Sequence, residues 1–238
     1  MSKFSILCAT VLMAFAGSAS AALTPVTPSW YTSTTLYDGN KQQQTFTTNS
    51  DNAATYGIAN QTGAVLVDFS FSFTGTPKNN AYLGLWFGNW NGPNFGMKAN
   101  CGGDVSGCKD DLFLRLSLGN EVYVGDSALA ANTTYHVTAL LYKKDGSIGT
   151  GSSYDSFKMW VNPTAEELAT LTGADAQASG NISLTNFSDI GFRTANIGNG
   201  VGFNVQNVTV SAVPEPASLA LFGLAAAGLG VARRRKKA

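Results

Sequence analysis

The sequence predicts an all-β protein, a two-sheet antiparallel jelly-roll β-sandwich over residues 23–212, set between a leader at 1–22 and a membrane-directed tail at 213–238. Three observations predict it. Short apolar runs recur along the body, the clearest of them with a period of two. Clusters of Gly, Asn and Asp separate these runs and supply the turns. One stretch alone carries both helix start and stop signals. The roughly 190 residues of the body are enough for a single domain with a sizeable core.

The leader is read from its three parts. Lys3 is followed by an apolar stretch at 4–16 and then by Gly17-Ser18-Ala19-Ser20-Ala21-Ala22. A basic start, a short apolar core and small residues make a secretory signal peptide, cut after Ala21 or Ala22. The core is too short to span a bilayer. Export by the general secretion machinery and removal by signal peptidase follow as expectations.

The first firm strand lies in "AVLVDFSFSFT". Val65, Val67, Phe69, Phe71 and Phe73 share one face, while Leu66, Asp68, Ser70, Ser72 and Thr74 share the other. That is the signature of a half-buried antiparallel strand. "AYLGLWFG" and "DLFLRLSLG" read as more deeply buried strands. "TYHVTALLYKKDG" ends on the turn signal Asp145-Gly146, and "SFKMWVNP" puts Phe157, Met159 and Val161 opposite Lys158 and Trp160. In "NPTAEELATLTG", Thr164 and Glu167 have the spacing of a capping box, with Gly173 as the stop. The last strand, "VGFNVQNVTVSA", changes phase between Val205 and Val208, which requires a bulge near Gln206-Asn207. Residues 23–64 give no comparable signal.

Between the strands lies the most site-like loop, "LWFGNWNGPNFG". Trp90 and Phe95 could stack on the apolar face of a sugar ring while Asn89, Asn91 and Asn94 bond its hydroxyls. The competing reading is a Gly/Pro turn whose aromatics close one end of the sandwich. Cys101 and Cys108 follow, bracketing "CGGDVSGC". In an exported chain a disulfide is the natural reading, stabilising by roughly 2–3 kcal/mol. Two thiolates with no nearby His or second Cys pair make an incomplete zinc site. The Cys loop is expected to stiffen the rim that carries the Asn-rich loop.

The body bears nine Lys or Arg against fourteen Asp or Glu, a net charge of −5, although the whole chain is neutral. A mildly acidic body without basic clusters gives nucleic acid no footing. Catalysis finds little purchase either. Asp110-Asp111 and Glu166-Glu167 are adjacent pairs, which on a strand point to opposite faces, whereas a retaining glycosidase needs two carboxylates about 5–5.5 Å apart on one face. His136 is the one histidine, and no strained Gly-x-Ser-x-Gly turn accompanies it. The sequence carries no phosphate loop, dinucleotide fingerprint or His-rich cluster, so no cofactor is expected. Asp38-Gly39-Asn40 and Asp145-Gly146-Ser147 are turns rather than EF-hand loops. A structural calcium is left open without a motif to carry it.

The tail reads "VPEPASLALFGLAAAGLGVARRRKKA". Pro214-Glu215-Pro216 forms an extended, helix-incompetent tripeptide. Residues 217–232 hold no charge and would span about 24 Å as a helix, a short transmembrane segment. Arg233, Arg234, Arg235, Lys236 and Lys237 then stop transfer and stay cytoplasmic. In this order the three parts resemble the PEP-CTERM sorting signal of Gram-negative bacteria that secrete exopolysaccharide. The resemblance implies recognition of Pro214, Glu215 and Pro216 by a membrane exosortase and cleavage near them. It also implies an inner-membrane intermediate and a final place at the cell surface or in the extracellular matrix of a biofilm.

A second resemblance spans residues 65–211. "TYHVTALLYKKDGSIGTGSSYDSFKMWVNPT", "FSDIGFRT" and "GFNVQNVTV" are similar, in their order, to laminin-G-like, concanavalin-A-like lectin domains. That likeness implies a glycan-binding or exopolysaccharide-associated structural module rather than an enzyme. The family often places an acidic residue near the Phe of the last strand. Here Asn204 stands there, so no calcium or ligand role is carried over. A surface glycan hydrolase or lyase, and a self-associating coat or adhesion protein, stay open as alternatives.

Overall fold

The computed structural model describes residues 24–25, 29–33, 37–38, 43–47, 52–103, 109–125 and 127–213. The leader, the Pro-Glu-Pro motif, the apolar run, the basic end and Cys108 lie outside the described residues. Among those described, no helix is long and apolar enough to cross a membrane.

The strands are β1 (Thr24–Pro25), β2 (Ser29–Ser33), β3 (Tyr37–Asp38), β4 (Gln43–Phe46), β5 (Asn52–Gln61), β6 (Val65–Thr74), β7 (Tyr82–Phe87), β8 (Asn94–Lys98), β9 (Asp111–Arg115), β10 (Val122–Tyr123), β11 (Tyr135–Tyr142), β12 (Ser156–Val161), β13 (Ala176–Ser179), β14 (Phe187–Ala195) and β15 (Gly202–Ala212). They form two sheets. One runs β13-β12-β11-β6-β15-β4-β3, with β1 also on β15; the other runs β10-β9-β8-β7-β14-β5-β2. Every pairing is antiparallel. This is the expected jelly-roll sandwich.

Alternation decides what lies between the sheets. Val65, Val67, Phe69, Phe71 and Phe73 of β6 are buried against Leu83, Leu85 and Phe87 of β7, Phe95 and Met97 of β8, and Ile190 and Phe192 of β14. Phe69 meets Phe192 edge-on at 4.9 Å and Phe95 at 5.3 Å, so aromatic contacts tie one sheet to the other. The phase change in β15 is a bulge. Its register on β6 slips between Gln206 and Thr209, and Asn207 takes φ 55°. The slip returns Val210 to the core beside Val67.

The deep burial of β7 on both faces has a cause the alternation alone does not show. On the outer face the Tyr82 ring lies over Gly84 and the Trp86 ring over Gly191, where any Cβ would collide with them. Residues 52–61 also form a ten-residue strand, in which Ala54, Tyr56 and Ile58 face the core. Its sequence, rich in Asn and Ala and interrupted by Gly57, hides that alternation.

The helix α1 (Ala165–Thr170) has the capping box on Thr164 and Glu167. Its stop differs from expectation: Leu171, not Gly173, takes the left-handed C-cap at φ 53°. Packing holds it there. Leu171 covers Leu66, Leu140 and Trp160 on the outer face of the first sheet, and Lys158 Nζ donates to the Leu171 carbonyl at 3.3 Å. Trp160, on the outward face as its phase predicts, is thereby fully buried, and its Nε1 donates to the Thr172 carbonyl.

Candidate functional site

Antiparallel pairing sends alternate connections to the same end of the sandwich. The loops β5–β6, β7–β8, β9–β10, β11–β12 and β13–β14 converge at one end, together with the close of β15. Several contacts fix this. Tyr154 N–H donates to the Leu184 carbonyl, and Tyr154 Oη donates to the Gly63 carbonyl at 2.8 Å. Gly88 N–H donates to the Asp189 carbonyl, and Val213 N–H to the Ala64 carbonyl.

Two adjoining clefts open at this end and share Leu116, Ser117, Asn181 and Ile182. The first, about 490 Å³, lies between the Asn89–Pro93 loop and residues 181–184. The second, also about 490 Å³, runs on between Asn120, Val122 and the edge strand β13, past Gln177 and Ser179. Together they make a groove at this end of the sandwich, beside the β13 and β10 edges, where the two sheets approach each other. Leu116, Val122, Ile182 and Leu184 give it apolar lining, and side-chain amides and hydroxyls supply the rest. Among the described residues no ionisable side chain lines either cleft.

The five expected glycan-contacting residues separate. Asn89 and Asn91 reach the groove, and Asn89 Oδ1 accepts the Asn91 N–H at 2.9 Å, shaping the turn. Trp90 is 47% exposed but stands over Arg193, whose Cζ lies 5.3 Å from its ring centroid. Asn94 is buried; it accepts from Tyr82 Oη at 3.1 Å and donates to the Gly92 carbonyl. Phe95 is fully buried against Phe69, Phe87 and Phe157. Residues 94–98 are a strand rather than the end of a loop, so alternation turns Phe95 inward, away from any ligand.

The Cys loop also stands elsewhere. Cys101 is disulfide-bonded, and its expected partner Cys108 lies outside the described residues. β8 separates this loop from the Asn-rich loop, and its five residues span about 16 Å. Cys101 therefore belongs to the opposite end, where Tyr123 Oη donates to its carbonyl. It does not stiffen the groove's rim.

The carboxylates serve the fold. Asp111 Oδ2 accepts from Gly125 N–H at 2.8 Å, and Asp110 Oδ1 accepts from Asn100 N–H at 3.2 Å, tying connections to β9. Burial pushes the Asp110 carboxyl above the ordinary carboxylate range, against that hydrogen bond. Glu167 accepts from Thr164 N–H, which holds its pKa down. Burial raises the Tyr82 phenol to about 12, against the neighbouring Arg115 and Arg193. His136 stands half exposed on the outer face of the first sheet, Nε2 3.5 Å from Asp68 Oδ2. Among the described residues no three His, Cys, Asp or Glu converge to hold a metal.

Sequence reasoning missed Ser117, Asn120, Gln177, Ser179, Asn181 and Ser183. They come from three separate connections or edges, each bland alone.

Residues 212–236 match the PEP-CTERM protein-sorting motif. The motif implies an exported protein processed by an exosortase. No curated protein matches the chain. Among solved structures, it is similar to the exoplasmic/lumenal domain of VIP36 in its Ca2+/Man3GlcNAc-bound form, with a TM-score of 0.50, 8% identity, and 78% of this chain and 84% of that one covered. It is also similar to the Emp47p carbohydrate recognition domain (TM-score 0.48, 10% identity, 82% and 96% covered) and to the carbohydrate binding module CBM66 from Bacillus subtilis (0.41, 13%, 80% and 98%). The likeness to VIP36 is one of fold alone.

Proposed function

We propose that the chain is a non-catalytic, exported module that holds a neutral stretch of exopolysaccharide in the groove between β13 and β10. The single observation that carries this reading is the lining of the groove. Amides and hydroxyls line it together with Leu116 and Ile182, without an ionisable group among the described residues. Sugars offer hydroxyl edges and apolar faces, and sites with an apolar base and a few polar groups suit them. Hydrolysis of a glycosidic bond needs an acid and a base or nucleophile, and the described lining of the groove supplies neither. The VIP36 domain, of similar fold, has been crystallised with a glycan, which accords with this reading.

In this reading signal peptidase removes residues 1–22, and exosortase acts at or near Pro214-Glu215-Pro216. The module then works at the cell surface or in the extracellular matrix, as a glycan binder or an exopolysaccharide-associated structural part. The test is a pull-down and glycan array with the oxidised, tail-free protein against the producing organism's own exopolysaccharide, with and without calcium. Saturable binding that falls about tenfold in Asn181→Ala, the loss of one or two hydrogen bonds, supports the groove. Binding unchanged by Asn181→Ala and Asn91→Ala together moves the ligand elsewhere. No binding by a folded protein leaves a self-associating coat component.

A further inference from the structure

We infer that the end of the sandwich from which β15 leaves is a lipid-facing surface while the tail is attached, with Trp90, Leu118 and Ile148 entering the membrane interface. The first support is where the fold lets go of the chain. Ala212 is paired with Val65, Val213 N–H donates to the Ala64 carbonyl at 2.9 Å, and the Val213 side chain packs on the cluster of Leu66, Leu140 and Trp160. The chain is therefore held through residue 213. Three residues, Pro214 to Pro216, separate it from the uncharged run that begins at Ala217. Fully extended they reach about 10 Å, roughly the thickness between two packed sheets. Once the run at 217–232 enters a bilayer, this end of the domain has to lie against its surface.

The second support is independent of the tail. Among the described residues the exposed large apolar side chains are Trp90, Leu118 and Ile148, at 47%, 52% and 65% exposure. Each stands on a different connection, β7–β8, β9–β10 and β11–β12, and all three connections lie at the end where the chain exits. Single exposed apolar residues scattered over a surface need no explanation. Three carried by separate connections of the end nearest the apolar run do. Trp suits the headgroup boundary, with an apolar body and a polar edge, and Lys144, exposed beside the Ile148 turn, can reach lipid phosphates.

Regulation of the groove follows, and this part rests on the glycan reading above. Asn89 and Asn91 flank Trp90, and Ser117 precedes Leu118, so lipid contact by these fingers covers the rim half of the groove. The anchored precursor is then closed to polysaccharide, and cutting the tail opens it. The protein would take up matrix glycan after release, not while it is still held at the membrane.

The test uses the full chain reconstituted in vesicles of phosphatidylethanolamine and phosphatidylglycerol with brominated acyl chains, which quench nearby tryptophans. Trp86 and Trp160 are buried, and Trp30 is common to both proteins, so the difference between the native chain and Trp90→Phe reports Trp90. A component of the quenching that Trp90→Phe removes, and that falls at least twofold in Leu118→Ser/Ile148→Ser, is the expected result. Quenching that Trp90→Phe leaves unchanged overturns the docking face. All three substitutions are at exposed positions, and circular dichroism confirms the fold. Binding of the organism's exopolysaccharide is then compared between the vesicle-bound chain and the same chain released by a protease cut after Val213. An affinity at least tenfold weaker when bound supports closure of the groove, and equal affinities overturn it while leaving the glycan reading intact. If neither form binds glycan but Trp90 is quenched, the glycan reading fails and the lipid-facing end stands.

Discussion

Replacing Phe95 by Ala separates a core role from a surface role for the most site-like stretch of the sequence. The ring has no exposure and meets Phe69 at 5.3 Å, Phe157 edge-on at 5.8 Å and Phe87 at 6.1 Å. Truncation removes on the order of 100 Å² of buried apolar surface, worth about 2.5 kcal/mol at 25 cal/mol per Å². It also leaves a cavity walled by three rings that cannot collapse without disturbing both sheets, so the total reaches about 3–5 kcal/mol. For a domain of this size that lowers the melting temperature by roughly 10 °C. Urea unfolding at fixed pH, followed by tryptophan emission, should show the lower midpoint with an unchanged slope. Trp90→Ala, at an exposed position, should cost less than about 1 kcal/mol. At temperatures where both variants are folded, Phe95→Ala should keep the native affinity for exopolysaccharide. A loss of less than about 1 kcal/mol together with lost glycan binding would refute the reasoning, because it would put the ring on the surface.

Further expected outcomes concern the tail, the helix and pH. Inserting twelve Gly and Ser residues between Val213 and Pro214 adds a flexible tether of about 17–21 Å root-mean-square length. Vesicle quenching of Trp90 should weaken, and polysaccharide binding by the anchored chain should rise toward that of the released form. Thr164→Ala removes the reciprocal cap with Glu167, at a cost of about 1 kcal/mol. Calorimetry should show a drop of about 2–4 °C, with Trp160 emission shifting red as Leu171 loosens. Glu121 is pushed up by burial, but a backbone amide, Lys98 at 3.5 Å and Arg115 at 2.6 Å outweigh this and hold its pKa below the ordinary 4.5. A depressed carboxylate contributes stability above its unfolded pKa and loses it as pH falls through the folded value. Unfolding midpoints should therefore decline below about pH 4.5, and Glu121→Gln should remove that part of the decline. Identical pH profiles for the two proteins would mean that the cluster with Arg115 and Lys98 adds nothing.

The outcome at the candidate site shows which kind of information a linear sequence holds. Val65 to Phe73 announce their face because side chains alternate along a strand whatever its partners. The capping box at Thr164 and Glu167 and the bulge near Asn207 are equally local. The stop of the helix is not local: Leu171, in the left-handed conformation, packs on Leu66, Leu140 and Trp160 from other strands. The Asn-rich loop was recognisable as a rim, yet its reading ran two residues too far. Pairing of β8 with β7 and β9 turned Asn94 and Phe95 into buried strand residues.

By itself, then, the sequence determined the fold class, the strands with clean alternation and the sorting motif at 212–236, since each depends on neighbours a few residues apart. The tertiary structure alone decided which connections share an end. It brought Asn91, Ser117 and Asn181 to one groove, set the Cys101 loop at the opposite end, and put the connections bearing Trp90, Leu118 and Ile148 at the end where the chain leaves at Val213. The reason is physical: antiparallel register between strands far apart in the chain, not any local propensity, assigns each loop to one end or the other.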